Sequence, residues 1–134
     1  MQIDEGPGWR LQTDPLRPHF PALIGADDWA VELRAEELAA LRRAVLSLRQ
    51  QWLELLPTLM AEEQLDLEVD LALEPQATGD SGSLHVALSG DAAGWALGFV
   101  LTPVCGSRAV EGRWTAPASA LLAAALERLP EQLL

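Results

Sequence analysis

Apolar and polar positions along this 134-residue chain change their period twice. The first forty residues are cut by Pro7, Pro15, Pro18 and Pro21. Such breaks leave room only for short strands, near residues 9–13 and 23–24. Around residues 28–33 an alternation begins, with Trp29, Val31 and Leu33 on one parity and Asp28, Ala30 and Glu32 on the other. That pattern predicts a half-buried strand. From Ala35 the step becomes three and four, through Leu38, Leu41, Val45, Leu48, Trp52, Leu55 and Leu59. The spacing predicts a long amphipathic helix, with Glu36 and Glu37 in the first turn, where the helix dipole favours them. Pro57 should kink or end it near residues 56–60. A second stripe, Leu46, Leu53, Leu56 and Met60, makes the apolar face wider than one sheet contact requires. It is either further core or a contact with a second subunit, so a homodimer through the 35–60 helix is an expectation.

Residues 65–73 switch to a strict period of two, with Leu65, Leu67, Val69, Leu71 and Leu73 pointing one way. Asp66, Glu68 and Asp70 point the other, and Glu74 continues their parity. After the turn-forming stretch EPQATGDSGS come three more strands, carrying Leu84, Val86 and Leu88, then Trp95, Leu97, Phe99 and Leu101, then Val110 and Trp114. Pro117 opens a last helix lined by Leu122, Ala125 and Leu129, which Pro130 ends. The fold class read from this is α+β, an antiparallel β-sheet with two helices in two β-then-α units. A chain of this length makes one domain, 1–134, with strands then a long helix over 1–60 and a four-strand meander then a helix over 65–130.

Composition narrows the setting. Hydrophobic residues make up 49% of the chain, as in a globular protein. The longest apolar run, residues 120–126, is far short of the roughly 18 needed to span a bilayer. The acidic start MQIDEGPGWR is not a signal peptide, and the lone Cys105 fits a reducing compartment. A cytoplasmic protein without a membrane partner is expected. The net charge is −11, all nine basic residues are arginine, and residues 50–107 hold nine acids with no arginine. That middle stretch should repel phosphate backbones, so the charge balance disfavours nucleic acid.

Catalytic signatures are missing: there is no G-x-S-x-G, P-loop or dinucleotide fingerprint. His19 and His85 are isolated, and Cys105 has no local base to activate it. No catalytic residue, cofactor or metal is assigned, and the chain is expected not to be an enzyme. Asp66, Glu68 and Asp70 lie about 6.5–7 Å apart along a strand. Three carboxylates so spaced cannot all bind one ion directly at the roughly 2.3–2.6 Å that calcium needs. They read as the solvated side of a sheet or as an acidic surface for a partner. Trp9-Arg10 and Arg113-Trp114 each set an aromatic beside a guanidinium, with Arg17 and Arg108 near in sequence. These six could stack on a base and hold a phosphate. They could equally form internal forks to Asp14, Glu32 or Glu111 around core tryptophans.

Three blocks carry a resemblance. They are Gly8-Trp9-Arg10 with Asp14-Pro15, Arg17, Phe20-Pro21, Leu23-Ile24-Gly25, Asp28-Trp29-Ala30 and Glu32-Leu33; then residues 60–63 (MAEE); then 108–114 (RAVEGRW). Together they resemble a small cyanobacterial family catalogued as domain of unknown function 1818, over residues 6–129. The resemblance implies no assigned activity. It implies a fold like the Whirly-type single-stranded-DNA-binding transcriptional regulators, with two β4–α units. Arg34 departs from the Thr-like helix cap that the resemblance leads one to expect. The reading reached is a non-enzymatic interaction module for an unidentified protein partner. The alternative is single-stranded nucleic-acid binding through the Arg/Trp residues.

Overall fold

The computed structural model describes residues 1–73, 81–104 and 108–131. Residues 74–80 of the expected loop EPQATGDSGS, Glu74 among them, and Cys105 therefore lie outside the described residues, while Gly82 and Ser83 at the end of that stretch already belong to a strand. Two antiparallel meanders form, each of four strands and each followed by a helix. In the first sheet β1 (Gln2–Gly6), β2 (Trp9–Thr13), β3 (Ala22–Gly25) and β4 (Ala30–Leu33) pair in sequence order and lead to α1 (Ala35–Leu55). In the second, β5 (Leu65–Leu73), β6 (Gly82–Asp91), β7 (Gly94–Thr102) and β8 (Val110–Arg113) lead to α2 (Ala116–Glu127). The fold class is α+β.

β1 is an addition to the sequence reading. Its residues QIDEG are mostly exposed and show no alternation. A tight turn brings them back along β2, and Gly8 supplies the left-handed backbone this needs, at φ 84°. The other strands follow their apolar parity. The inward row of the second sheet, including Leu84, Val86, Leu88, Leu97, Phe99 and Leu101, is almost wholly buried. Pro57 turns the end of α1 into a short 3₁₀ segment, Leu56–Thr58. Of the second stripe on that helix, Leu46 and Leu56 are half-buried while Leu53 and Met60 are exposed.

Neither half of the chain closes its own core. α1 follows the first sheet yet packs on β5 and β6 of the second, while α2 packs on β7 and reaches β2. Arg42 of α1 reinforces the crossing: its Nε donates to the Leu126 carbonyl at 2.9 Å, beside the Leu129 amide that also donates to it at the α2 C-terminus. Arg49 pairs with Glu127 nearby. At the other end of α2, Thr115 caps the helix and buried Ser119 accepts from the Leu97 amide at 2.9 Å.

The two sheets meet at an aromatic junction. Trp29, at the entrance to β4, packs against Phe99 of β7 and Trp114 just after β8, with ring centroids 5.7 and 5.2 Å away. The Trp114 indole N–H donates to the Gly25 carbonyl of β3 at 2.9 Å. Gly112 makes the approach possible, because a Cβ there would lie 2.5 Å from the Trp29 ring and 2.9 Å from Phe99. Gly112→Ala should therefore cost about 1–3 kcal/mol through overpacking. Gly94→Ala should cost far less, since the nearest atom to a Cβ there is 3.9 Å away. Urea denaturation midpoints of the two variants check this difference.

Candidate functional site

Alternation along β5–β8 sends one row of each strand into the core and the other onto an outward face. On that face the pairing sets Glu68, Ala87, Gly98 and Arg113 side by side across the four strands. The next row is Asp70, His85, Val100 and Glu111, and the row on the other side is Asp66, Ser89 and Ala96. The centre of this face is made of small side chains. A groove of about 520 Å³ runs there, floored by Ala87, Ala96 and Gly98 and bordered by His85, Glu111 and Arg113. The Arg113 stem lies over Gly98, where a Cβ would sit 3.3 Å from its Cγ.

The acidic row is held from the neighbouring strand. Ser89 donates its hydroxyl to Asp66 at 2.7 Å. His85 Nδ1 lies 2.8 Å from Asp70, and its Nε2 lies 3.6 Å from Glu68. These contacts occupy part of each carboxylate, which offers about four acceptor sites. The side chains of Glu68 and Asp70 stay 72% and 75% exposed. Among the described residues no cluster of three or more His, Cys, Asp or Glu side chains is placed to hold a metal ion. His19 lies exposed in the β2–β3 connection, apart from this face.

The Arg/Trp residues divide. Trp9 and Trp114 are core side chains, 6% and 4% exposed, and present no face to a stacked base. Arg10 makes a fork, though not to a carboxylate: its Nε donates to the Ala26 carbonyl at 3.0 Å and a terminal nitrogen to the Trp29 carbonyl at 2.9 Å. It locks the β3–β4 turn, and Asp27 in the same turn accepts from the Gly8 amide at 2.9 Å. Arg17 pairs with Glu32 at 2.5 Å on the surface. Arg108 and Arg113 are exposed, Arg113 on the groove rim. Neighbours in sequence do not share a face here, because alternation along the strand turns Arg113 outward and buries Trp114. The groove itself went unread because Ala87, Ala96 and Gly98 carry no chemistry; the signal available was a run of small residues on the outward parity of two adjacent strands.

The one acid buried among the described residues serves the helix. Glu37 is 3% exposed, and its carboxylate accepts from the Arg34 amide at 2.8 Å, closing the first turn of α1 without a Thr-like cap. Burial raises the Glu37 carboxyl above its ordinary 4.5, against the opposing pull of that amide and of Arg34. The native state then holds this proton more tightly than the unfolded chain. Its contribution to stability falls as pH rises from 4.5 through the raised value. Glu37→Gln keeps an acceptor and removes the titration, so its stability relative to wild type should grow from pH 4 towards neutrality. Urea denaturation across that range checks the sign.

A family model described as a domain of unknown function (DUF1818) matches residues 4–129. A solved structure from Prochlorococcus sp. NATL2A, described as a protein of unknown function from the DUF155 family, is similar over 95% of this chain and 97% of its own. It is 31% identical, with a TM-score of 0.73. No curated protein matches. Among the described residues no helix is long and apolar enough to cross a membrane.

Proposed function

We infer that this chain, which belongs to the DUF1818 family, is a non-catalytic cytoplasmic module that binds a protein partner on the outward face of its second sheet. The observation that carries the reading is the groove floored by Ala87, Ala96 and Gly98 between an acidic flank and Arg113. A shallow trough of small residues with charges at its borders suits the side chains of another protein, with an apolar centre and a polar rim. The buried acid that could serve acid–base chemistry is committed to the start of α1. The exposed end of α1 and the segment after it, with Leu53 48% and Met60 71% accessible, offer room for a second copy of the chain as a further contact.

Single-stranded nucleic acid is the second reading. Four strands then a helix, occurring twice, support a Whirly-like arrangement, and Arg113 on the groove rim supports a phosphate contact. Against it stand the carboxylates of Asp66, Glu68, Asp70 and Glu111 on the same face, and two tryptophans withdrawn into the core. Ala87→Trp fills the groove from an outward position. Nuclease-resistant protein recovered from a cyanobacterial lysate by the wild type should be lost with this variant, at an unchanged thermal midpoint. Binding of a labelled single-stranded oligonucleotide that Arg113→Ala abolishes would favour the second reading instead.

A further inference from the structure

The second sheet ends at β5, whose far edge pairs with no strand among the described residues. It is a long edge of nine residues, against five for β1 and four each for β4 and β8. Proteins blunt such edges with proline, bulges, charged side chains or a covering element, because the unpaired amides and carbonyls template another strand, and on β5 the charge is the acidic row Asp66, Glu68 and Asp70. β5 has neither proline nor lysine, and its register with β6 runs residue for residue from Leu65–Gly90 to Leu73–Gly82 without a bulge. The apolar row is also unfinished. Leu65, Leu67, Val69 and Leu71 are half-buried, while Leu84, Val86 and Leu88 on the next strand are at most 2% exposed.

Charge selects what can complete it. Two copies of β5 paired antiparallel with apolar rows aligned would set acid against acid, for instance Glu68 against Glu68 and Asp66 against Asp70. A parallel pairing in register would set each acid against itself. Shifting by two residues preserves the conflict, because parity keeps the acidic rows on one face. Like charges directly opposite destabilise a strand pair, so the edge rejects its own copy. Opposite charges there stabilise it. Resting on the partner-binding reading above, we propose that β5 accepts as an added strand an extended partner segment that alternates arginine or lysine with apolar residues. The apolar side chains continue the half-covered row of Leu65, Leu67, Val69 and Leu71. The basic ones lie beside Asp66, Glu68 and Asp70, and main-chain hydrogen bonds supply the register.

The test uses three labelled peptides of equal length: alternating Arg/Val, the same composition with the arginines contiguous, and the alternating peptide with alternate backbone nitrogens methylated. In fluorescence anisotropy the first should bind at least tenfold tighter than the other two. Reversing the row, Asp66→Lys/Glu68→Lys/Asp70→Lys, should abolish binding and transfer it to an alternating Glu/Val peptide, with the thermal midpoint confirming a folded protein. Equal binding of the alternating and contiguous peptides would reduce the effect to charge attraction and overturn the proposal, as would indifference to backbone methylation. Self-association of the wild type that Glu68→Lys alone abolishes would also overturn it, by making a second copy the occupant. Should the row reversal leave capture of the natural partner intact while Ala87→Trp abolishes it, the edge proposal fails and the broader reading stands. Capture insensitive to both would sink both.

Discussion

Everything in this fold depends on the closure of two sheets against each other at Trp29, Phe99, Gly112 and Trp114. Each meander alone has one apolar face and no second layer, and each helix finds its cover partly on the opposite sheet. The junction fixes that arrangement with directional contacts. Trp29 lies where Gly112 leaves room, and the Trp114 indole N–H satisfies the Gly25 carbonyl. A buried carbonyl without that donor would carry a desolvation cost of about 1–3 kcal/mol. Arg10 and Asp27 then hold the β3–β4 turn that delivers Trp29. Trp29, Trp114 and Arg10 are thus parts that join the two halves.

With the inner faces committed to this closure, the outward face of the second sheet and its β5 edge stay open among the described residues, and the proposed recognition is placed there. The small residues at the centre of that face leave a trough, and the acids at its flank are held by Ser89 and His85 without being consumed. An acidic row on an open edge has two consequences at once. Under the strand-addition proposal it would disfavour pairing between copies of the chain, and it would set the charge that an added strand must carry.

Much of this was legible from periodicity. The change from steps of three and four to a strict period of two located α1 and β5, and the parity of 65–73 separated core from solvent because one face is buried and the other is not. β1 escaped because QIDEG has too few apolar residues to alternate; its place is dictated by the Gly8 turn and by pairing with β2. Arg10 was readable as a residue with an internal role, yet its partners are carbonyls of a turn sixteen and nineteen residues away, which spacing cannot reveal. The same holds for the indole of Trp114, whose partner Gly25 lies 89 residues distant. The groove was invisible because it consists of what side chains leave empty.

The most direct test is amide hydrogen exchange over residues 65–73 with and without the alternating Arg/Val peptide. Strand addition predicts slowed exchange at the alternate β5 amides that face away from β6, and little change at those already paired with it. Slowing confined to the surroundings of Arg108 and Arg113, or none along β5, would contradict the account.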